Sequence, residues 1–343
     1  MLPAAAIHML DQAADGHVQE KTRARLMDAA KVVGEPFVRV EAELARLAQV
    51  GAAPGTQAAA HLISGGGKRV RPLSTLLACA CFGDITESTE HLAVAAELIH
   101  AATLLHDDVI DDGSERRGVP TARRVYGNAV SVLAGDLLLV HALELVQKTG
   151  DREALATLFG TLRTLVDGEV VQLRGRTVLD PTEDTYLRIV KDKTASLFIW
   201  ALTAGARAGG AGSTDLEKFA AFGAHLGVAF QLVDDVIDYA SSPEVSGKKL
   251  CADLLEGKLT LPLILAMRED EGLSTLVSRL RAGETQLGGA IAERVRKSHG
   301  IELSRSRAET ETRLAAEALA TISPSHPRTL LLGVATELAG RVS

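Results

Sequence analysis

Two stretches of the chain carry the same five residues. Asp-Asp-Val-Ile-Asp stands at 107–111, within LLHDDVIDD, and again at 234–238, within QLVDDVIDY. Each closes a long run with helical apolar spacing. On a helix, positions i and i+4 lie about 40° apart around the axis, so Asp107 and Asp111 share a face, as do Asp234 and Asp238. Asp108 and Asp235 lie about 100° round from their neighbours. Carboxylates at a helix C-terminus oppose the helix dipole, so helix stability does not account for them. A single DDxxD is as readily a solvated helix end. Two copies, each set among aliphatic residues, would repel internally unless cations bridged them. Mg2+ suits the role, since it takes one or two carboxylates and completes its octahedron with water and phosphate oxygens. The pair of clusters therefore predicts a site for a phosphorylated substrate clamped through Mg2+.

The basic residues fit that chemistry. Lys68, Arg69 and Arg71 follow Gly65–Gly67, where backbone can approach a ligand closely. Arg116 and Arg117 follow the first Asp cluster, and Lys248 and Lys258 flank the loop after the second. Lys193 and Thr194 lie in the helical segment that bears Trp200. Guanidinium forks suit bidentate phosphate contact, and lysines act as point charges. Each alone is an ordinary surface charge. Together, beside Asp pairs, they indicate two diphosphate pockets. Gly65–Gly67 has no Walker A spacing.

The elements that must carry these groups are helices. Apolar residues recur at three- and four-residue intervals over Leu26–Val50, Leu92–Leu105, Val130–Val146, Leu155–Leu173, Tyr186–Ala206 and Leu216–Tyr239. Thr214 and Glu217 form a capping-box start for the last. No β-branched alternation bounded by turn residues suggests a sheet. Residues 64–72, 111–127 and 241–258 read as loops, and the segment from Glu269 onward is more polar. With 343 residues, 46% hydrophobic, and no low-complexity linker, the expectation is one all-α domain over 1–343. A net charge of −7 argues against a nucleic-acid partner. Three cysteines (Cys79, Cys81, Cys251) without a CxxC pair suit a reducing, cytoplasmic setting. The N-terminus does not read as a secretory signal. No uninterrupted apolar run reaches about 18 residues, so no membrane span is expected.

Taken in order, GGKRVRP, LIHAATLLHDDVIDDGSERRG, LAGDLLL, GEVVQL, KTASLF, FQLVDDVIDY and GKKLCADLLEGKLTLP resemble the trans-isoprenyl diphosphate synthases, or polyprenyl synthetases. The resemblance runs from about Gly66 to Leu265. It implies a single large antiparallel helical bundle around a central cavity, working as a homodimer. It also implies ionisation of an allylic diphosphate and attack on the resulting cation by isopentenyl diphosphate. By that resemblance Asp107 and Asp111 bind two Mg2+ with Asp108 in support, and Asp234 binds a third whose waters Asp235 and Asp238 order. Arg116, Lys193, Lys248 and Lys258 would hold the allylic diphosphate. Lys68, Arg71, His100 and Arg117 would hold isopentenyl diphosphate, and Thr194 and Gln231 would line the reacting centre. The released diphosphate would remove the proton, which leaves His106 a structural role. One departure concerns the loop that usually reads GKPxGxD, where this chain has Lys249 for proline and Cys251 for glycine.

In similar enzymes the helix before the first motif floors the product tunnel. Thr103 and Ala102, with Ala101 beside them, stand where short-chain members often carry an aromatic blocker. Ile99 is the next bulky position, two turns below Asp107. The small residues predict an open tunnel and a medium or long product, against a farnesyl or geranylgeranyl alternative. A class I terpene cyclase would want an aromatic pocket, and this chain has 7 Phe, 3 Tyr and 1 Trp. A non-catalytic synthase subunit would typically lack one Asp motif, and both are intact.

Overall fold

The structure, a computed structural model, describes residues 16–116, 118–240, 252–255 and 258–339. These are helical nearly throughout and group into two compact units. The first takes the described residues up to Phe159 with Ile199–Ala220 and Leu319–Val334. The second takes Gly160–Phe198, Ala221–Ala318 and the described residues from Ala335.

The chain begins with α1 (Gly16–Leu47), α2 (Gly55–Ser64), α3 (Val70–Ala80) and α4 (Glu87–Ile110). A two-residue hairpin follows, β1 (Glu115–Arg116) with β2 (Val119–Pro120), and then α5 (Ala122–Tyr126), α6 (Asn128–Lys148) and α7 (Arg152–Thr177). Helix α8 (Glu183–Val190) runs through a π-helical turn (Lys191–Ala195) into α9 (Ser196–Ala208), and α10 (Ser213–Ala240) comes next. The remaining helices are α11 (Ala252–Leu255), α12 (Leu261–Glu269), α13 (Glu271–Arg281), α14 (Gly288–Lys297), α15 (Gly300–Ala318) and α16 (His326–Ala339).

In the first unit α4 is the central helix. Leu92 through Ala96, Leu98 and Ile99 are all buried, so its apolar surface runs round the whole circumference. It packs against α1, α3 and α6. At its start the Thr86 N–H donates to Thr89 Oγ1 at 3.3 Å, and Glu87 and Glu90 complement the dipole. At its end the dipole is opposed instead, by Asp107 and Asp108. In the second unit Tyr186, Val190 and Ala195 bury against Val228, Leu232 and Val233 of α10 and against Leu261 and Ile264 of α12. A neighbouring cluster packs Tyr239 with Leu263, Val277, Ile291 and Val295. These contacts hold the second Asp motif's helix against the π-helical turn.

Four details differ from the sequence reading. Residues 111–127 hold the hairpin and α5 rather than a plain loop. Two paired residues per strand are too few to show alternation. Helix α3 starts at Val70, so Arg71 and Pro72 belong to its first turn, where proline's missing N–H costs nothing. Helix α10 starts at Ser213, with the Asp215 and Leu216 N–H groups bonded to Gly212 O, so Thr214 lies inside the first turn. Finally, Asn128–Lys148 and Ser213–Tyr239 are long and apolar enough, by length and composition, to cross a membrane. The windows concerned are 44% and 56% buried within the fold. Polar residues such as Asp136 and His225 break the uninterrupted run used as the sequence criterion.

Candidate active site

In the first unit, α3 and α4 supply most of the expected groups. Lys68 is exposed, Arg71 is buried in the first turn of α3, and His100 is half-buried on α4. Asp107 and Asp111, both half-buried, lie in the last turn of α4 and at its C-cap, where the Asp111 N–H donates to Asp107 O at 2.7 Å. Asp108, about 100° round the helix from Asp107, is 4% exposed. Arg116, on β1, donates to Asp108 Oδ1 through Nη2 at 2.8 Å and through Nε at 3.3 Å. Burial pushes the Asp108 carboxyl up, and Arg116 works against that rise. Asp108 Oδ2 is buried with no hydrogen-bond partner among the described residues. The loop that returns Arg116 to the helix is pinned. Arg123 donates to Asp112 Oδ1 at 2.8 Å and to Gly113 O at 3.3 Å, and Thr121 Oγ1 donates to Gly113 O at 2.8 Å. Below the Asp motif, Ala101, Ala102 and Ile99 are buried and Thr103 is half-buried, donating to His100 O at 2.8 Å.

The second unit gathers the other set. Lys193 and Thr194 sit in the π-helical turn, a rare one-residue expansion that recurs at functional sites. Lys193 Nζ pairs with Glu169 of α7. Two glycines let their helices close on this turn. A Cβ at Gly227 would overlap Ala195, reaching its Cβ at 2.7 Å. A Cβ at Gly168 would come within 2.8 Å of Asp192 Cβ and 3.0 Å of Lys193 N. Thr194 Oγ1 donates to Gln231 Oε1 at 3.0 Å, and Gln231 Nε2 donates to Asp235 Oδ1 at 2.8 Å. The other carboxylate oxygen, Asp235 Oδ2, accepts from the Tyr186 hydroxyl at 2.7 Å. Asp235 is 2% exposed, and burial, with Asp253 and Asp234 adding to it, pushes its carboxyl up to about 7 against the two donors. Burial, then Asp235, likewise raises the Tyr186 phenol. Asp234 is half-buried and Asp238 buried. Lys258 Nζ lies 3.6 Å from Asp253 Oδ1.

Lys68, Arg71, His100, Asp107, Asp108, Asp111 and Arg116 thus belong to the first unit, with Ile99, Ala102 and Thr103. Lys193, Thr194, Gln231, Asp234, Asp235, Asp238 and Lys258 belong to the second. Arg117 and Lys248, with Lys249 and Cys251, lie outside the described residues. The sequence reading passed over Tyr186 and Glu169. Glu169 was visible in GEVVQL. Tyr186 gave no signal except as one of the chain's 3 tyrosines, because its partner is distant in sequence.

Comparison with known proteins was then informative. A sequence profile described as polyprenyl synthetase matches residues 54–293. The octaprenyl diphosphate synthase of Escherichia coli (strain K12) is 36% identical over 282 residues, covering 80% of this chain and 86% of that protein. The all-trans-nonaprenyl-diphosphate synthase (geranyl-diphosphate specific) of Rhodobacter capsulatus is 38% identical over 283 residues, 81% of this chain and 86% of that one. Among solved structures, a polyprenyl synthase from Caulobacter crescentus CB15, complexed with calcium and isoprenyl diphosphate, superposes with a TM-score of 0.86. It is 34% identical and covers 92% of this chain and 98% of that one.

Proposed function

Since the chain belongs to the polyprenyl synthetase family and is a trans-prenyltransferase, we propose that it extends an allylic diphosphate with isopentenyl diphosphate to a medium or long trans-polyprenyl diphosphate. The observation that carries this reading is that both Asp motifs are complete, the first with Arg116 on Asp108 and the second with Gln231 and Tyr186 on Asp235.

The donor set suits Mg2+. Every candidate ligand is a hard carboxylate oxygen, and Asp108 Oδ2 is a buried acceptor left without a donor among the described residues. Among those residues no three His, Cys, Asp or Glu side chains could hold a metal by themselves. Mg2+ needs only one or two carboxylates where diphosphate oxygens and water complete the octahedron. Asp107 and Asp111 would hold two ions and Asp234 a third. Bound there, Mg2+ offsets the negative charge that develops on the leaving diphosphate.

The protein's own groups do the rest. By the family resemblance Arg116, Lys193, Lys248 and Lys258 would hold the allylic diphosphate; Asp108 holds Arg116 through two hydrogen bonds. Lys68, Arg71, His100 and Arg117 would hold isopentenyl diphosphate. Thr194, whose hydroxyl donates to Gln231, would line the reacting centre with it. The double bond of isopentenyl diphosphate forms the new carbon–carbon bond, and the released diphosphate accepts the proton. Ala101 and Ala102 are small where short-chain relatives often carry an aromatic blocker, which favours an open tunnel for the growing chain.

A second copy of the chain would cover the exposed apolar stripe of α6, where Val132, Leu133 and Val140 recur at helical spacing and Leu133 is 64% exposed. Phe159, Val166 and Val170 form a like stripe along α7, with Val166 62% exposed. Free Cys79 and Cys81 suit a reducing cytoplasm. Steady-state turnover tests the metal-site assignment. Asp107→Ala and Asp234→Ala should each lower kcat by about 100-fold or more while the protein stays folded, the scale on which electrostatic stabilisation acts. Retained turnover in either variant would remove that Asp from the site.

A further inference from the structure

Of the three basic residues after Gly65–Gly67, the reading above uses Lys68 and Arg71. Arg69, between them, is 8% exposed. Its backbone is left-handed, with φ 46° and ψ 34°, a conformation that costs a non-glycine residue about 1 kcal/mol or more. Such strain persists only where the surroundings over-determine it. Here they do. Arg69 Nε donates to Glu41 Oε1 at 2.8 Å, Nη1 to Glu97 Oε1 at 2.9 Å, and Nη2 to Ile63 O at 3.1 Å. One guanidinium therefore ties α1, α4 and the last turn of α2 to the start of α3. Burial opposes its charge, and Glu97 and Glu41 more than restore it. The Arg69 carbonyl also accepts from the Leu73 N–H at 3.1 Å, which makes the strained residue the N-terminal anchor of α3. The left-handed step at 69 turns the chain between an exposed Lys68 and the helical turn that carries Arg71.

We propose that Arg69 is a positioning residue: held by Glu41 and Glu97, it fixes the turn that presents Lys68 and Arg71 to isopentenyl diphosphate. The inference rests on the assignment of those two residues made above. A merely structural ion-pair cluster would instead lower the amount of active protein and leave both Michaelis constants alone.

The test is initial-rate kinetics on the full chain, varying each substrate in turn, for Arg69→Met, Glu97→Gln and the control Lys68→Ala. Glu97→Gln is nearly isosteric, lies outside the substrate-binding set and serves if Arg69→Met does not fold. Arg69→Met and Glu97→Gln should each raise the KM for isopentenyl diphosphate by about 10-fold or more, as small misplacements of binding groups do, with the KM for the allylic diphosphate unchanged. Amides of residues 66–71 should also exchange faster with deuterium. A raised KM in Lys68→Ala with unchanged values in both other variants overturns the positioning role alone. So does a parallel rise for both substrates. An unchanged KM in Lys68→Ala overturns the assignment of Lys68, and the inference falls with it.

Discussion

Tyr186 and Asp235 show what single residues contribute beyond the motifs. Asp235 is buried beside Asp234 and would be a poor place for a carboxylate without donors on both oxygens, which Gln231 and Tyr186 supply. Tyr186→Phe keeps the ring and removes one donor. It should lower stability by about 1–3 kcal/mol, the usual cost of an unsatisfied buried polar group, and lower kcat through the Gln231–Thr194 chain. Thermal melts and turnover check this together, and an unchanged kcat would confine Tyr186 to packing. At this scale the sequence was legible wherever chemistry repeats or clusters. The two DDVID strings and the basic loops pointed, on residue type alone, to the metal and diphosphate site proposed above. Tyr186 did not, because a contact across 49 positions leaves no trace in local spacing. Arg116 gave half its story: its type read as a phosphate ligand, whereas its bond to Asp108 depends on a hairpin too short to leave a periodic signal.

At the level of elements, the π-helical turn is the feature on which the second unit's groups depend. It places Lys193 and Thr194 one after the other, against Glu169 and Gln231 respectively. Gly168 and Gly227 are what allow α7 and α10 to approach it. Gly227→Ala should therefore destabilise the protein by about 1–3 kcal/mol through overpacking and reduce turnover with it. Gly175→Ala in α7, where an added Cβ meets nothing within 4 Å, should leave stability equal or raise it by about 0.5–1 kcal/mol through helix propensity. Chemical denaturation of the pair measures the difference. Equal effects would contradict the close-approach argument. Helix existence was readable from apolar spacing, since burial on one face writes a period into the sequence. The π-helical turn was not, because one extra residue per turn barely alters that period. Nor was the start of α3 at Val70, because its N-cap residue, Arg69, has no local side-chain cap and is held in place by tertiary ion pairs.

For the whole molecule, the all-α class followed from alanine- and leucine-rich periodicity, and the family from the order of its motifs, which a profile matches over residues 54–293. What the pattern could not give is which apolar residues stay outside, because helical spacing alone does not distinguish a core-facing stripe from one that meets a partner. If the proposed homodimer forms through this stripe, Leu133→Glu should yield a monomer in sedimentation velocity, since an unpaired carboxylate is costly at an apolar interface. A monomeric wild-type chain would refute that stripe's role. The central claim, that this chain is a catalytic, chain-elongating synthase with an open tunnel, is tested most directly by product length. Labelled isopentenyl diphosphate, Mg2+ and each of the dimethylallyl, geranyl, farnesyl and geranylgeranyl primers would be incubated with the wild-type chain and with Ala102→Tyr. The account predicts a ladder ending beyond geranylgeranyl in the wild type and a shorter one in the variant. A wild-type product that stops at farnesyl or geranylgeranyl, or no elongation from any primer, would contradict it.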